Sequence, residues 1–488
     1  MEPRSWLPDP SHYPEQMTPL SASVWFEALG RGLHEAAREL RAPFGGFVAR
    51  TELGWAYEGE LDPDWEHDPA TVRDAALGLH DRWPSTYRPR TWEITHELWQ
   101  MRPELPPPAD AVRLLDRLWQ LVQEQWTIHF LVVIPAQIAA EIFDDRYREL
   151  FPAADPLAPY RLLETPRSEA ELVKLARRAR ELRLDQLIRE LTPPHALDRL
   201  QALTHGRLWL AELGEYLHPD RGRGGRARWH ELSLPREAEL PQLTFDAVRL
   251  YLDREPPPPS PPEPLPDELR ELYELCSAAF ALKEEHSYHI DYPGLLATRE
   301  TLLGFGRRLA AEALLDQTDE IWMLTRSQLR QALTEHPDLK GLVSRARDEL
   351  ADGLRQGPKP FLGVEPARRE RHPALDKFYG AGGHALAGAG ASPGIAEGTA
   401  RVVAVASDFG RIQPGDILVT TTTTPAWTPL FPTLAALVTE TGGILSHAAV
   451  VAREYGIPAV VGAAGATSAI PDGGRVRVDG AAGTVLVL

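Results

Sequence analysis

The period of the apolar residues changes once along this chain, and that change constrains the fold more than any other feature. From about residue 110 to 350 the pattern is helical. Val112, Leu115, Trp119, Val122 and Trp126 recur at spacings of three and four, one stripe along a helix. Ser168 and Glu171 have the spacing of a capping box ahead of Leu172 and Leu175. Segments 267–285 and 295–315 read as two further long helices, while residues 1–110 are less regular and predict short helices with a small sheet. After residue 390 the pattern becomes that of strands, at 399–405, 416–421, 434–439, 475–478 and 484–488. One helix, 446–455, interrupts them, closed by Gly456 and followed by Pro458.

The boundary falls where periodicity is lost. Residues 357–390 carry the charged run ARRERH and end in the small-residue run AGGHALAGAGA, the composition of a flexible tether. The proline run 256–264 is stiff, but helical periodicity resumes at once, so 256–266 reads as a surface loop within one region. The expected fold is multidomain: a mainly α-helical region at 1–356, a tether at 357–390 and a C-terminal α/β domain at 391–488.

The chemistry concentrates in residues 439–462, TETGGILSHAAVVAREYGIPAVVG. A strand ends at Thr439, and a glycine pair turns the backbone. Ser446 is a good N-cap, which places His447 in the first turn of the helix. That end of a helix attracts anions, because unpaired N–H groups and the positive end of the macrodipole point outward. A phosphoryl group on His447 would sit among these N–H groups and the hydroxyls of Ser446 and Thr441. The alternative is that His447 only packs against the helix start.

This stretch resembles the mobile, phosphohistidine-bearing domain of the phosphoenolpyruvate-utilising family, which includes pyruvate phosphate dikinase, phosphoenolpyruvate synthase, rifampicin phosphotransferase and phenylphosphate synthase. The resemblance is carried by Thr441, Gly442, Gly443, Ser446, His447, Ala448, Ala449, Ala452, Arg453, Glu454, Gly456, Pro458, Ala459, Val460 and Gly462. Ser392-Pro393-Gly394, Pro414-Gly415-Asp416 and the Asp479-Gly480 turn agree with it. It implies a swivelling α/β domain with His447 as phosphoryl carrier and Thr441, Gly442, Gly443 and Ser446 positioning the phosphate.

Further pieces are similar to the acceptor-binding part of the rifampicin phosphotransferase branch. They are Asp9, His12-Tyr13-Pro14, Thr18-Pro19-Leu20, Trp229, Glu231, Ser233-Leu234-Pro235, Glu284-Glu285-His286, Tyr288, Ile290-Asp291 and Asp319-Glu320-Ile321-Trp322. Gly222–Arg226 echoes a loop of that branch only loosely, and Trp427-Thr428-Pro429-Leu430-Phe431 matches it well. His286, His289 and Asp291 are ligand-type side chains close in sequence. They read as a polar cluster at a helix end that contacts substrate, with His286 as candidate general base, in preference to a metal site. Nine of the thirteen tryptophans lie between Trp6 and Trp126, where core filling is the ordinary explanation and an aromatic acceptor site the sharper one.

No glycine-rich phosphate-binding loop is found in the first half, where Gly45-Gly46 stands isolated. The resemblance therefore implies Mg-ATP bound by a separate ATP-grasp partner, no cofactor bound directly, and a small organic acceptor. The other reading is a non-catalytic scaffold with a vestigial phosphohistidine domain. The net charge of -18 and the lack of a Lys/Arg block argue against nucleic acid. The lone Cys276 excludes an internal disulfide and suits a reducing cytoplasm. The opening MEPRSWLPDP lacks the build of a signal peptide. The apolar stretch 128–142, interrupted by Pro135 and carrying Glu141, reads as a buried helix, so no membrane partner is expected.

Overall fold

Strand and helix patterns separate in the structure as they do in the sequence: a mainly helical region precedes a C-terminal α/β domain. The computed structural model describes residues 3, 5–9, 13, 15–104, 107–155, 157–163, 170–191, 193–218, 231–234, 241–252, 265–335, 337–364, 386–403, 411–423 and 425–488. His12, Pro14, Ser168, Trp229, Pro235, the Gly222–Arg226 loop, the proline run 256–264 and the centre of the expected tether, 365–385, lie outside the described residues. The chain divides into two compact units. One comprises Met1–Ile142, Arg228–Pro235 and Ala278–Glu370, the other Phe143–Ala227, Arg236–Ser277 and Arg371–Leu488.

In the first unit, β1 (Ser5–Pro8), β2 (Phe47–Glu52), β3 (Trp55–Glu60) and β4 (Leu362–Gly363) form an antiparallel sheet in the order β2-β3-β1-β4. β4 lies in the stretch read from sequence as tether. Its pairing with β1, Trp6 opposite Leu362, corrects that reading for the first residues of 357–390. Short pairings with a distant strand leave no local periodicity, so composition alone marked the segment as loose.

The 43-residue helix Pro108–Leu150 runs through Pro135 without ending there. It starts on a proline, whose missing N–H costs nothing in the first turn. By length and composition it is apolar enough to cross a membrane, which the shorter stretch 128–142 did not suggest. Leu115, Leu118, Leu121, Val132, Ala136, Ala139 and Phe143 on this helix are completely buried, while Leu114, Val133, Ile134 and Ile138 are half-buried. Of the nine N-terminal tryptophans, Trp25, Trp83, Trp119 and Trp126 are buried, with Trp25 and Trp126 ring to ring at 4.9 Å.

Glu231 ties a remote segment to the start of the chain. Its carboxylate accepts from the Thr18 N–H at 2.7 Å, the Thr18 hydroxyl at 2.8 Å, the Ser21 hydroxyl at 2.5 Å and the Ser233 N–H at 2.9 Å. The Leu232 N–H donates to the Ser21 oxygen, and Arg299 donates to the Leu232 carbonyl. The two pieces noted separately in the sequence, Thr18-Pro19-Leu20 and Glu231 with Ser233, are thus halves of one buried network.

In the second unit, the helices between Ala170 and Leu252 bury Leu172, Ala176, Ile188, Leu200, Trp209 and Phe245 among themselves. The helix Pro241–Leu252 lies against the 3-10 segment Pro425–Thr433. Residues 143–227 and 236–277, grouped from sequence with the rest of the helical region, share this unit with the C-terminal domain.

The C-terminal sheet has seven strands: β5 (Ala389–Ser392), β6 (Ile395–Val402), β7 (Ile417–Thr420), β8 (Ala436–Thr439), β9 (Ala459–Val461), β10 (Arg475–Asp479) and β11 (Thr484–Val487). Their order is β11-β10-β6-β7-β8-β9-β5. β6 to β9 are parallel, and β5, β10 and β11 add antiparallel edges. All residues of β7 and β8 are buried, as expected for central parallel strands covered on both faces. Leu418 and Leu437 face the helix His447–Tyr455 with Phe431 and Tyr455, while Ile417, Val419, Ala436 and Val438 meet Val476 and Val478 on the other side. The strands at 389–392 and 459–461 were not read from the sequence. The first takes in the other end of the expected tether, a second correction to 357–390.

Replacing Glu231 by Ala strands several buried donors at once. Each costs about 1–3 kcal/mol when left unpaired, so a loss of about 3 kcal/mol or more is expected in urea-induced unfolding of the first unit.

Candidate functional site

A strand-to-helix turn builds the site. β8 ends at Thr439, whose hydroxyl donates to the Thr441 carbonyl at 2.8 Å. The Glu440 and Thr441 N–H groups continue the pairing to the carbonyls of Thr420 and Thr421, each at 3.0 Å. The chain then reverses at Gly442, where φ is +99°. A Cβ at Gly442 would stand 2.9 Å from both Cβ and Oγ of Ser446, so the turn needs glycine for conformation and for space.

Ser446 is the N-cap expected from sequence. Its backbone is extended, and its hydroxyl oxygen accepts from the Ala449 N–H at 3.4 Å. The helix His447–Tyr455 ends with Gly456 in the left-handed conformation, the C-cap read from the sequence. Buried Arg453 reaches back from this helix and donates to the carbonyls of Ile444 at 2.8 Å and Ala391 at 3.0 Å. That guanidinium clamps the loop just ahead of the cap.

His447 is the first residue of the helix and half-buried. Its Nε2 lies 3.3 Å from the Thr428 hydroxyl, and the Phe431 ring meets the imidazole edge-on with centroids 6.3 Å apart. Thr428 received no role from the sequence, although the segment around it was noted. A chain distance of nineteen residues hides such a partner. Of the expected phosphate-positioning residues, Gly442, Gly443 and Ser446 lie in the turn directly before His447. The Thr441 hydroxyl donates to the Thr421 carbonyl at 3.0 Å and so fixes the turn. An imidazole at a helix start, with the cap and the first-turn N–H groups beside it, can exchange an anionic group with little reorganisation.

The second set of candidates lies in the first unit, and the structure regroups it. Asp291 Oδ1 is 2.7 Å from His129 Nδ1, and Asp291 Oδ2 is 3.3 Å from His286 Nε2. The Ser287 hydroxyl donates to Asp291 Oδ2 at 3.1 Å. His129, from the long helix, was missed because 162 residues separate it from Asp291. His289, three residues after His286, is not part of this group. It packs against Trp83 with ring centroids 5.7 Å apart.

Burial works to raise the Asp291 carboxyl, but the two imidazoles outweigh it and hold the group far below the usual carboxylate range. Burial, helped by the Arg88 charge and by His286, lowers His289 to about 4. Burial also raises Glu285, against the pull of Arg88.

Residues 412–483 match the family described as PEP-utilising enzyme, mobile domain. The C-terminal domain is therefore a mobile domain of the phosphoenolpyruvate-utilising family, and the chain is related to phosphotransferases of that family. The uncharacterized phosphotransferase YvkC of Bacillus subtilis is 34% identical over 45% of this chain and 27% of its own length. Rifampicin phosphotransferase of the same organism is 35% identical over 38% of the chain and 21% of its own length. Chondramide synthase cmdD of Chondromyces crocatus is 31% identical over 99% of the chain, which corresponds to 14% of that protein. The chain thus spans about a quarter or less of the length of these relatives.

Two outcomes follow. Ser446→Ala removes the cap and is expected to destabilise the C-terminal domain by about 1 kcal/mol in thermal unfolding. For His289, the unfolded chain takes up a proton near pH 6.5 but the folded chain only near 4. The stability contributed by the neutral ring is full above 6.5 and declines as pH falls toward 4. His289→Phe should flatten the pH dependence of unfolding in that window, and an unchanged slope would refute the assignment.

Proposed function

We propose that this chain carries a phosphoryl group on His447 from an ATP-binding module of the ATP-grasp type to a small organic acceptor held by its helical region. The reading rests on one observation: His447 opens a helix behind a serine cap, steadied by Thr428 and set in a turn only glycine permits.

In the first half-reaction the bond between the transferred phosphorus and its leaving oxygen in ATP breaks. A nitrogen–phosphorus bond forms on His447, and the nucleotide leaves with its charge balanced by magnesium on the donor. In the second half-reaction that bond breaks as an acceptor hydroxyl oxygen takes the phosphorus, and the hydroxyl proton passes to a base. Such transfers depend on positioning and charge stabilisation more than on covalent assistance from the protein. The helix start serves both halves, because it favours the anion whether it is arriving or leaving. The cluster of His129, His286 and Asp291 is the proposed place where the acceptor hydroxyl is received, and a cytoplasmic setting suits an ATP-dependent role.

The relatives support this direction to different depths. The phosphotransferases support the reaction class. The match along almost the whole chain to a segment of a synthase favours a phosphorylated acceptor that is consumed onward, an activated intermediate in a biosynthetic sequence.

The test is transfer of label from ATP in the presence of a candidate ATP-grasp donor. Phosphate on the wild-type chain should be labile to acid and stable to alkali. His447→Ala should take up none while retaining the wild-type thermal transition. Label that persists in the variant would move the site elsewhere and overturn the reading.

A further inference from the structure

We propose that His129, His286 and Asp291 form a binding site for one divalent cation of the zinc class. Three elements converge there: the helix Pro108–Leu150 brings His129, the last turn of the helix Asp267–His289 brings His286, and the first residue of the helix Asp291–Ala311 is Asp291 itself. One ligand atom from each lies within 4.8 Å of the others. The three side chains are only 14%, 7% and 13% exposed.

Hydrogen-bond chemistry points to a cation among them. His286 Nδ1 faces the Leu282 carbonyl at 2.9 Å, and a carbonyl only accepts, so Nδ1 carries the ring hydrogen. Without a second proton, the ring turns the lone pair of Nε2 toward Asp291 Oδ2 at 3.3 Å, acceptor against acceptor. Ser287 has one hydroxyl hydrogen to offer to both, at 3.1 Å to the carboxylate and 3.4 Å to the ring. A cation between nitrogen and oxygen removes the conflict; a second proton on His286 is the rival solution.

The surroundings are those of a metal ligand set. A ligating histidine is normally oriented by a hydrogen bond from its other nitrogen to a carbonyl, and a ligating carboxylate by a further donor. His286 with Leu282 and Asp291 with Ser287 supply both. Ligands at about 2.0–2.2 Å from a zinc-class ion stand about 3.0–3.5 Å apart, so the His286–Asp291 separation already fits, while His129, 2.7 Å from the other carboxylate oxygen, exchanges that hydrogen bond for the ion. Trp126 and Phe130 pack on the His129 ring with centroids at 4.8 and 4.7 Å, an apolar wall on that side.

Two imidazoles and one carboxylate suit zinc, cobalt or iron and not magnesium, which prefers oxygen ligands. Three protein ligands also leave a coordination position open. If the phosphotransferase reading holds, that position is where an acceptor oxygen would bind. This role rests on that reading, whereas cation binding does not.

The experiment is titration of the metal-stripped, full-length chain with cobalt(II), followed by visible absorption and by zinc competition. One equivalent should bind, with bands of low-coordinate cobalt that zinc abolishes. Asp291→Asn and His129→Gln should each weaken binding by at least about tenfold, and the surface variant His96→Gln should bind as wild type. Absence of stoichiometric binding, or binding unchanged in a folded ligand variant, would overturn the proposal in favour of a protonated His286 paired with Asp291. Should one ligand variant fail to fold, the other carries the same test. Because the readout uses neither ATP nor acceptor, failure here leaves the His447 reading standing, and failure to label His447 leaves the cation site standing.

Discussion

A serine hydroxyl accepting one backbone N–H decides where the helix at residue 447 begins, and the rest of the histidine site follows from that start. Had the helix begun one turn earlier, His447 would sit mid-helix, where N–H groups are spent on carbonyls and no anion finds donors. The start is defended from both directions. Gly442 allows the reversal that brings the chain to Ser446, and Arg453 holds the carbonyl of Ile444 from within the helix. Thr441 and Thr439 spend their hydroxyls on neighbouring carbonyls and so lock the strand end.

Most of this was legible in the sequence because it is local. Strand, glycine pair, serine, helix and closing glycine follow one another between Ala436 and Gly456, and each carries its own stereochemical preference. The strands β7, β8, β10 and β11 were legible for the same reason. What stayed hidden depends on partners far along the chain. β5 and β9 are four and three residues long and gain their order from neighbouring strands. Thr428 meets His447 only because the 3-10 segment folds over the helix start. The ends of the expected tether look loose by composition, yet they pair with β1 and β9.

The cluster in the first unit makes the same point with side chains. His286, His289 and Asp291 are neighbours in sequence, but the helix ends at His289 and the next begins at Asp291, so the third member faces Trp83 and a histidine from a distant helix takes its place. Glu231 behaves likewise, a single carboxylate gathering donors from residues 18, 21 and 233. Sequence proximity nominated the right neighbourhood, and packing chose the members.

The clamp formed by Arg453 has a consequence for how the histidine meets other molecules. With its loop fastened to the helix and its ring beside Thr428 and Phe431, the imidazole rides as part of a stiff body. Any molecule that exchanges a group with it must come up to the same rim, at the same angle, whichever direction the exchange runs. Selection among visitors then falls to the shape of that rim, and substitutions on it should alter which visitors are admitted more than what the nitrogen does once they arrive.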